Sequence, residues 1–266
     1  MDSSLSKPTV VVSDDTDIFL MLIHHHDSEN AQSIYWFSET SARTKEGQRF
    51  IPIANVQASL GANACSRILF MHAWFGSDTT SAIYGYGKKV ALKWISQSTI
   101  AANLALQFYE ENQSSKVVEE AGKQLFKDLY KCNGDKSLNS LRYHLYSKGV
   151  ATSKTGFKPE NLPPTEAAAG YHSKRVYFQV MEWKSLQTKY NPTDWGWELQ
   201  DHKFVPTMTD QPLAPKDLLS VVRCSCKTSS CSSKSCSCRK SGLPCVAACL
   251  HCFTNGCNNN EKATDL

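Results

Sequence analysis

The chain has 266 residues, 41% of them hydrophobic and 10% aromatic, enough for one sizeable globular domain and a smaller one. Its longest early apolar stretch, Ile18 to Ile23, sits between acids and histidines and is far short of the roughly eighteen residues a bilayer span needs, so neither a membrane span nor a secretory signal is supported. The net charge of +4 is unevenly placed: residues 1–218 hold 23 basic and 23 acidic side chains, whereas 219–257 hold Arg223, Lys227, Lys234, Arg239 and Lys240 with no acid.

The first element is a strand over Val10 to Val12, three β-branched residues that run into Ser13-Asp14-Asp15-Thr16-Asp17. Acids at the carboxyl end of a strand can present two carboxylates, Asp15 and Asp17, to a hard divalent cation; alternatively one of them caps the helix suggested by Ile18 to Ile23. Both readings stand on sequence alone. His24 to His26 read as a solvated loop. Ile34 to Phe37 and Arg49 to Ile53 flank Lys45-Glu46-Gly47 and read as a hairpin. Ile53 to Leu60 and Ser66 to Phe75 read as two helices broken at Gly61, the second delivering Asp78.

Gly85 and Gly87 flank Tyr86, and Lys88 and Lys89 open a basic helix running to Ile95. Glycines at alternate positions let backbone N–H groups turn toward an anion, and the helix start adds its dipole and two ammonium groups, which points to a phosphate. An ordinary turn between two helices is the alternative. Further on, Val117, Ala121, Leu125 and Leu129 form one apolar stripe, Leu138, Leu141 and Leu145 a second, and Ala169, Val176, Val180 and Trp183 a third; all read as core. Residues 149–164 read as a polar connector. Trp195 to Leu199 and Phe204-Val205 read as a small hairpin, and the prolines at 206, 212 and 215 as a linker. Cys65 and Cys132 stand alone and read as buried structural thiols rather than nucleophiles.

The other nine of the eleven cysteines are Cys224, Cys226, Cys231, Cys236, Cys238, Cys245, Cys249, Cys252 and Cys257. In a chain without a secretory signal this crowding argues for thiolate metal binding over disulfides. Two separate tetrahedral zinc sites use eight thiolates and leave one over. Three zinc ions need twelve bonds, which six terminal and three bridging thiolates supply.

The spacing C-x-C-x4-C-x4-C-x-C-x6-C-x3-C from Cys224 to Cys249 resembles the tesmin-like CXC, or CRC, domain at every interval. The family's eighth cysteine falls at His251 here, with Cys252 and Cys257 completing the nine, so His251 is a candidate substitute ligand. The family's tyrosine before the fourth cysteine, which reaches into the DNA minor groove, is Ser235, and the usual paired repeat is single. Nine thiolates and three zinc ions carry minus three; the five basic residues bring the module to about plus two, suited to phosphate contacts by Arg223, Lys227, Lys234, Arg239 and Lys240.

The stretch from Val10 to Ile95 resembles the internal region of flap-endonuclease/XPG-type nucleases of the PIN-like fold: an acid-x-acid at a strand end, Gly76-Ser77-Asp78 about sixty residues on, then a G-x-G helix-hairpin-helix loop. The resemblance implies Asp15, Asp17 and Asp78 as magnesium ligands, and Gly85, Gly87, Lys88 and Lys89 as a grip on the DNA backbone, with a potassium ion at the loop. The family's upstream acids have no counterparts in the thirteen residues before Asp14. The expectation is therefore a C-terminal portion of a longer product, or a decayed copy, that does not cleave DNA. Over nearly its whole length the chain also resembles transposon-derived proteins of animals.

The sequence thus predicts an α/β fold: a partial PIN-like domain with helix-hairpin-helix over 1–110, a helical region over 111–190, a hairpin and Pro-rich linker over 191–218, and a CXC zinc module with little regular structure over 219–260. The function expected is a nuclear, zinc-binding, DNA-binding protein without membrane attachment. The alternatives are a magnesium-dependent structure-specific endonuclease, should the missing acids be encoded upstream, and a zinc-stabilised protein-interaction scaffold.

Overall fold

The computed structural model describes residues 7–27, 32–39, 50–132, 134, 136–152, 158–184 and 190–209, and in the cysteine segment 223–227, 230–240, 244–246, 249, 251–252 and 257–259. The chain divides into two units, Met1–Lys131 with Ala168–Met208, and Cys132–Ala167 with Thr209–Leu266. The coarse α/β class holds, with helices dominant and the sheets small. Among the described residues no helix is long and apolar enough to cross a membrane.

In the first unit the β-branched run forms β1 (Thr9–Val12), and the chain returns through α1 (Thr16–His25) to β2 (Ile34–Phe37), which pairs parallel to β1 from Thr9↔Ile34 to Val12↔Phe37. β3 (Phe50–Pro52) lies antiparallel on the other side of β2, with Trp36 opposite Ile51. The two runs expected to form a hairpin do pair, while the turn expected at Lys45-Glu46-Gly47 lies outside the described residues. Side chains alternate across a strand. Trp36 packs on Phe19 of α1 with ring centroids 4.7 Å apart, so Val11 and Ile51 share its inward face. Val10, Val12 and Phe50 lie on the opposite face and are 45%, 58% and 56% exposed.

His24 to His26 do not form a loop. His24 and His25 complete α1, and the N–H of His26 donates to the Leu22 carbonyl beyond its end. His24 stacks on Tyr109, ring centroids 5.5 Å apart, and His26 is buried. His24 is half-buried, and the groups that meet these two, Tyr109 and Gln57, lie far along the chain, which a local reading of three polar rings cannot register.

The helical body comprises α2 (Ile53–Leu60), α3 (Ala62–Cys65), α4 (Ile68–Trp74), α5 (Lys88–Gln97), α6 (Thr99–Leu106), α7 (Ser115–Leu129) and α9 (Glu166–Lys184). The break expected at Gly61 is present, with φ +81°. Every residue of α4 is buried, including His72 among its otherwise apolar side chains. Trp74 at its end meets Phe70, Phe108, Phe126 and His172 with ring centroids 4.7 to 5.8 Å away. The core is therefore continuous across residue 110. On α7 the buried stripe begins at Val118, whereas Val117 is 42% exposed.

Two details set how closely this body packs. A Cβ on Gly122 of α7 would lie 1.7 Å from the Ser173 hydroxyl and 2.6 Å from its Cβ, so α7 and α9 meet backbone to side chain there. Nearby, the His172 ring nitrogen Nε2 lies 3.1 Å from the Trp74 carbonyl, and burial lowers its pKa to about 4, with Arg175 acting in the same direction. The small hairpin is present as β4 (Trp197–Gln200) and β5 (Lys203–Pro206), closed by Asp201 and His202, both at positive φ as a tight two-residue turn requires. In the second unit α8 spans Leu138–Thr152, with Leu138 and Leu141 buried.

Gly122→Ala is expected to lower the stability of the first unit by about 1–3 kcal/mol in urea denaturation, and adding Ser173→Gly to restore part of it. His172 binds its proton in the unfolded chain before it does so in the fold. Stability should therefore fall as pH drops from about 6.5 toward about 4, and His172→Gln should flatten that slope in denaturation curves taken across the range.

Candidate metal centre

The cysteine segment has little regular structure among its described residues: a single helical turn, α10 (Ser237–Lys240), and short turns such as Cys236 N–H to the Ser233 carbonyl and Cys249 N–H to Val246. Its interior is made of sulfur. Cys224, Cys231, Cys236, Cys238, Cys245, Cys249 and Cys257 are buried, Cys226 and Cys252 pack against them, and every buried residue described beyond residue 209 is a cysteine. All nine are free thiols.

The sulfur spacings are compatible with a shared cation. Cys224 Sγ lies 3.5 Å from Cys231, 3.8 Å from Cys245 and 3.9 Å from Cys252; Cys236 lies 3.8 Å from Cys245, and Cys238 3.6 Å from Cys249. A zinc ion bonded at about 2.3 Å to four tetrahedral sulfurs sets them about 3.8 Å apart. Three groups of four sulfurs converge within 4.8 Å: Cys224 with Cys231, Cys245 and Cys252; Cys224 with Cys236, Cys238 and Cys245; and Cys224 with Cys226, Cys231 and Cys236. Such groups can hold a metal ion. Cys231, Cys236 and Cys245 each belong to two groups and Cys224 to all three, whereas Cys249 and Cys257 belong to none.

Burial pushes Cys231 up to about 12, Cys238 up to about 11, and Cys224 and Cys245 up as well. At Cys236 burial acts the same way, but the Arg239 N–H and neighbouring thiols outweigh it and bring the group down to about 6. Buried thiols of such mixed disposition ionise together only beside a cation. The surroundings also supply donors to sulfur: Cys224 N–H to Cys249 at 3.5 Å, Asn259 N–H to Cys257 at 3.4 Å, and the Asn259 amide to Cys245 at 3.4 Å. His251 is exposed and belongs to none of the three groups.

Of the five basic residues, Lys234, Arg239 and Lys240 line an open cavity of ≈ 560 Å³ together with Ser232. Lys227 is exposed and Arg223 half-buried. The structure gathers three of the predicted phosphate contacts on one surface, a clustering their spacing of five residues and one did not itself establish.

The acids and glycines of the first unit are placed differently from one another. Asp15 is the N-cap of α1, its carboxylate accepting from the Asp17 N–H at 2.8 Å, so the capping alternative is realised there. Asp17 Oδ1 lies 2.6 Å from His72 Nε2. Asp78 is exposed, on a loop held by the Thr80 hydroxyl, which donates to the Ala73 carbonyl at 2.6 Å. These three carboxylates form no group of metal-holding geometry like those of the cysteines.

Gly85, with φ +80°, and Gly87, the N-cap of α5, are exposed, as is Lys89. Lys88 is exposed as a residue, but its ammonium turns back to the Gly76 carbonyl at 2.8 Å, the His72 carbonyl at 3.2 Å and His72 Nδ1. With Lys88 donating to Nδ1, the neutral imidazole carries its proton on Nε2 and donates it to Asp17. Burial lowers His72, consistent with that neutral form, and brings Lys88 down to about 8 against the opposing pull of Asp17. His72 escaped the sequence reading because its partners lie 55 and 16 residues away and nothing local marks it.

Comparison with family models, with curated proteins and with solved structures yields no match for this chain.

Lysine side-chain NMR is expected to show one ammonium titrating near pH 8, absent in Lys88→Met. In Asp17→Asn its midpoint should move lower, since the carboxylate that favours the charged form is gone.

Proposed function

We propose that this chain is a zinc-binding, DNA-associated nuclear protein: a tesmin-like CXC module holding three zinc ions, carried with a PIN-like, flap-endonuclease-type region and its helix-hairpin-helix loop, which does not cleave DNA. The observation that carries the metal reading is the sulfur core, nine thiols packed together of which seven fall into overlapping groups of four that could hold a metal ion. Cys231, Cys236 and Cys245 bridge. Cys224, the sulfur common to all three groups, is assigned with Cys226 as a terminal pair, and Cys249 and Cys257, outside the groups, complete the other two ions with Cys238 and Cys252. Bound zinc supplies the folding energy that a module of this size cannot draw from an apolar core.

The DNA reading draws support from the basic cavity of Lys234, Arg239 and Lys240 beside the cluster, a surface that suits backbone phosphates without base readout. The non-cleaving reading draws support from Asp15 and Asp17, whose carboxylates are engaged by a helix cap and by His72. Two metal ions in such nucleases demand carboxylates free to converge.

Native mass spectrometry is expected to find three zinc ions per chain. Cys236→Ser or Cys245→Ser should lose more than one of them, whereas Cys226→Ser should lose at most one; equal losses at all three positions would refute the bridging assignment. Zinc-loaded protein should bind duplex DNA with an affinity that falls steeply with salt, and Lys234→Gln with Lys240→Gln should reduce the slope of log K against log salt by about 2. Salt-insensitive or absent binding at low ionic strength would remove the DNA reading. Cleavage of flap DNA with Mg²⁺ that Asp17→Ala abolishes would remove the non-cleaving one.

A further inference from the structure

We propose that Arg239 is the clasp that seats the ninth thiolate, Cys257, on the metal cluster, with the Asn258–Asn259 turn as the part it grips; this rests on the zinc reading above. Cys257 is the ligand least defined by the sequence. Four residues separate it from Cys252, and such a tether by itself leaves the thiolate free to swing away. The structure ties the residues around it to three places in the module.

Arg239 leaves α10 and uses two edges of its guanidinium. Nε donates to the Cys231 carbonyl at 2.8 Å and Nη2 to the Asn258 carbonyl at 2.7 Å, so one planar group joins the third cysteine's backbone to the residue following the ninth. The same turn is fixed elsewhere: Asn258 N–H donates to the Ser230 carbonyl at 2.8 Å, and Cys245 N–H to the Asn259 carbonyl at 2.5 Å. Asn259 then turns two donors onto sulfur, its N–H to Cys257 and its side-chain amide to Cys245, both at 3.4 Å. Donors of this kind stabilise negative charge on metal-bound sulfur and fix its direction, and their loss typically costs 10- to 100-fold in metal affinity.

The geometry also distinguishes a clasp from a phosphate contact. A guanidinium presents a rigid fork that can hold two carbonyls at once; an ammonium offers one point of charge on a flexible stem. Arg239→Lys therefore keeps the positive charge facing the cavity of Lys234 and Lys240 and removes the two-point grip. Nothing in the cysteine spacing assigns this role to Arg239, which the sequence marks only as one of five basic residues.

The test uses the full-length zinc-loaded protein and a chromogenic chelator. Arg239→Lys is expected to release one of its three zinc ions about 10- to 100-fold faster than the unsubstituted chain. In ¹¹³Cd-loaded protein, the resonance of the ion held by Cys252 and Cys257 should broaden or shift. In a Cys257→Ser background, adding Arg239→Lys should produce no further acceleration, because the ligand it positions is gone. Asn259→Ser reads the same turn without touching Arg239 and should also speed release.

Unchanged release and an unchanged cadmium spectrum in both Arg239→Lys and Asn259→Ser would overturn the proposal, as would an equal further acceleration by Arg239→Lys without Cys257. If Arg239→Lys weakens DNA binding alone, Arg239 is a phosphate contact and no clasp. An unsubstituted protein that takes up no zinc or cadmium would sink the metal reading itself, a separate outcome read before any variant is made.

Discussion

The cysteine module turns on a single constraint: nine thiols packed together repel one another once ionised unless a cation lies among them, and groups of four of them could hold a metal ion. Apolar side chains pack because water rejects them, and neutral thiols share in that gain, but as thiolates they repel. Every buried side chain described beyond residue 209 is a cysteine, so an apolar core is not the alternative source of stability. The polypeptide's contribution is geometric. It brings sulfurs to tetrahedral spacing, turns N–H groups toward three of them, and forces Ser230 and Cys231 into left-handed backbone to do so. Such conformations persist only where the surroundings impose them.

The first unit solves the ordinary problem by ordinary means. Trp74 fills the centre, and α7 and α9 close on it only because Gly122 leaves room for Ser173. That tightness carries a cost in acid, since His172 is trapped neutral against the Trp74 carbonyl and must charge when the chain unfolds. Its β-sheet is different. One face packs on α1, while Val10, Val12 and Phe50 on the other remain exposed.

The link from Asp17 through His72 to Lys88 changes the meaning of the motif that first suggested a phosphate grip. It joins α1, α4 and the start of α5 by hydrogen bonds that occupy a carboxylate, both ring nitrogens and an ammonium. Lys88 is thereby held inward, and what the glycine loop presents to solvent is backbone around Gly85 and Gly87 together with Lys89. A backbone surface is suited to phosphate through oriented N–H groups more than through charge.

The sequence by itself determined what is local. Three β-branched residues made β1, the apolar stripes made α7 and α9, Gly61 broke its helix, and the hairpin at 197–206 formed where its turn residues allowed positive φ. The cysteine spacing identified the candidate ligands because it is a property of the chain alone. Tertiary structure decided which atoms meet across long separations. It buried His26 and stacked the half-buried His24 on Tyr109 where three histidines in a row read as solvated, chose the cap at Asp15 over a free carboxylate, and bound Asp17 and Lys88 to a histidine the local pattern left unmarked. It also gave Arg239 two carbonyl partners that lie eight and nineteen residues away. Periodicity and spacing specify which face of an element is apolar, but the partner of a hydrogen-bonding side chain is fixed only when distant segments pack.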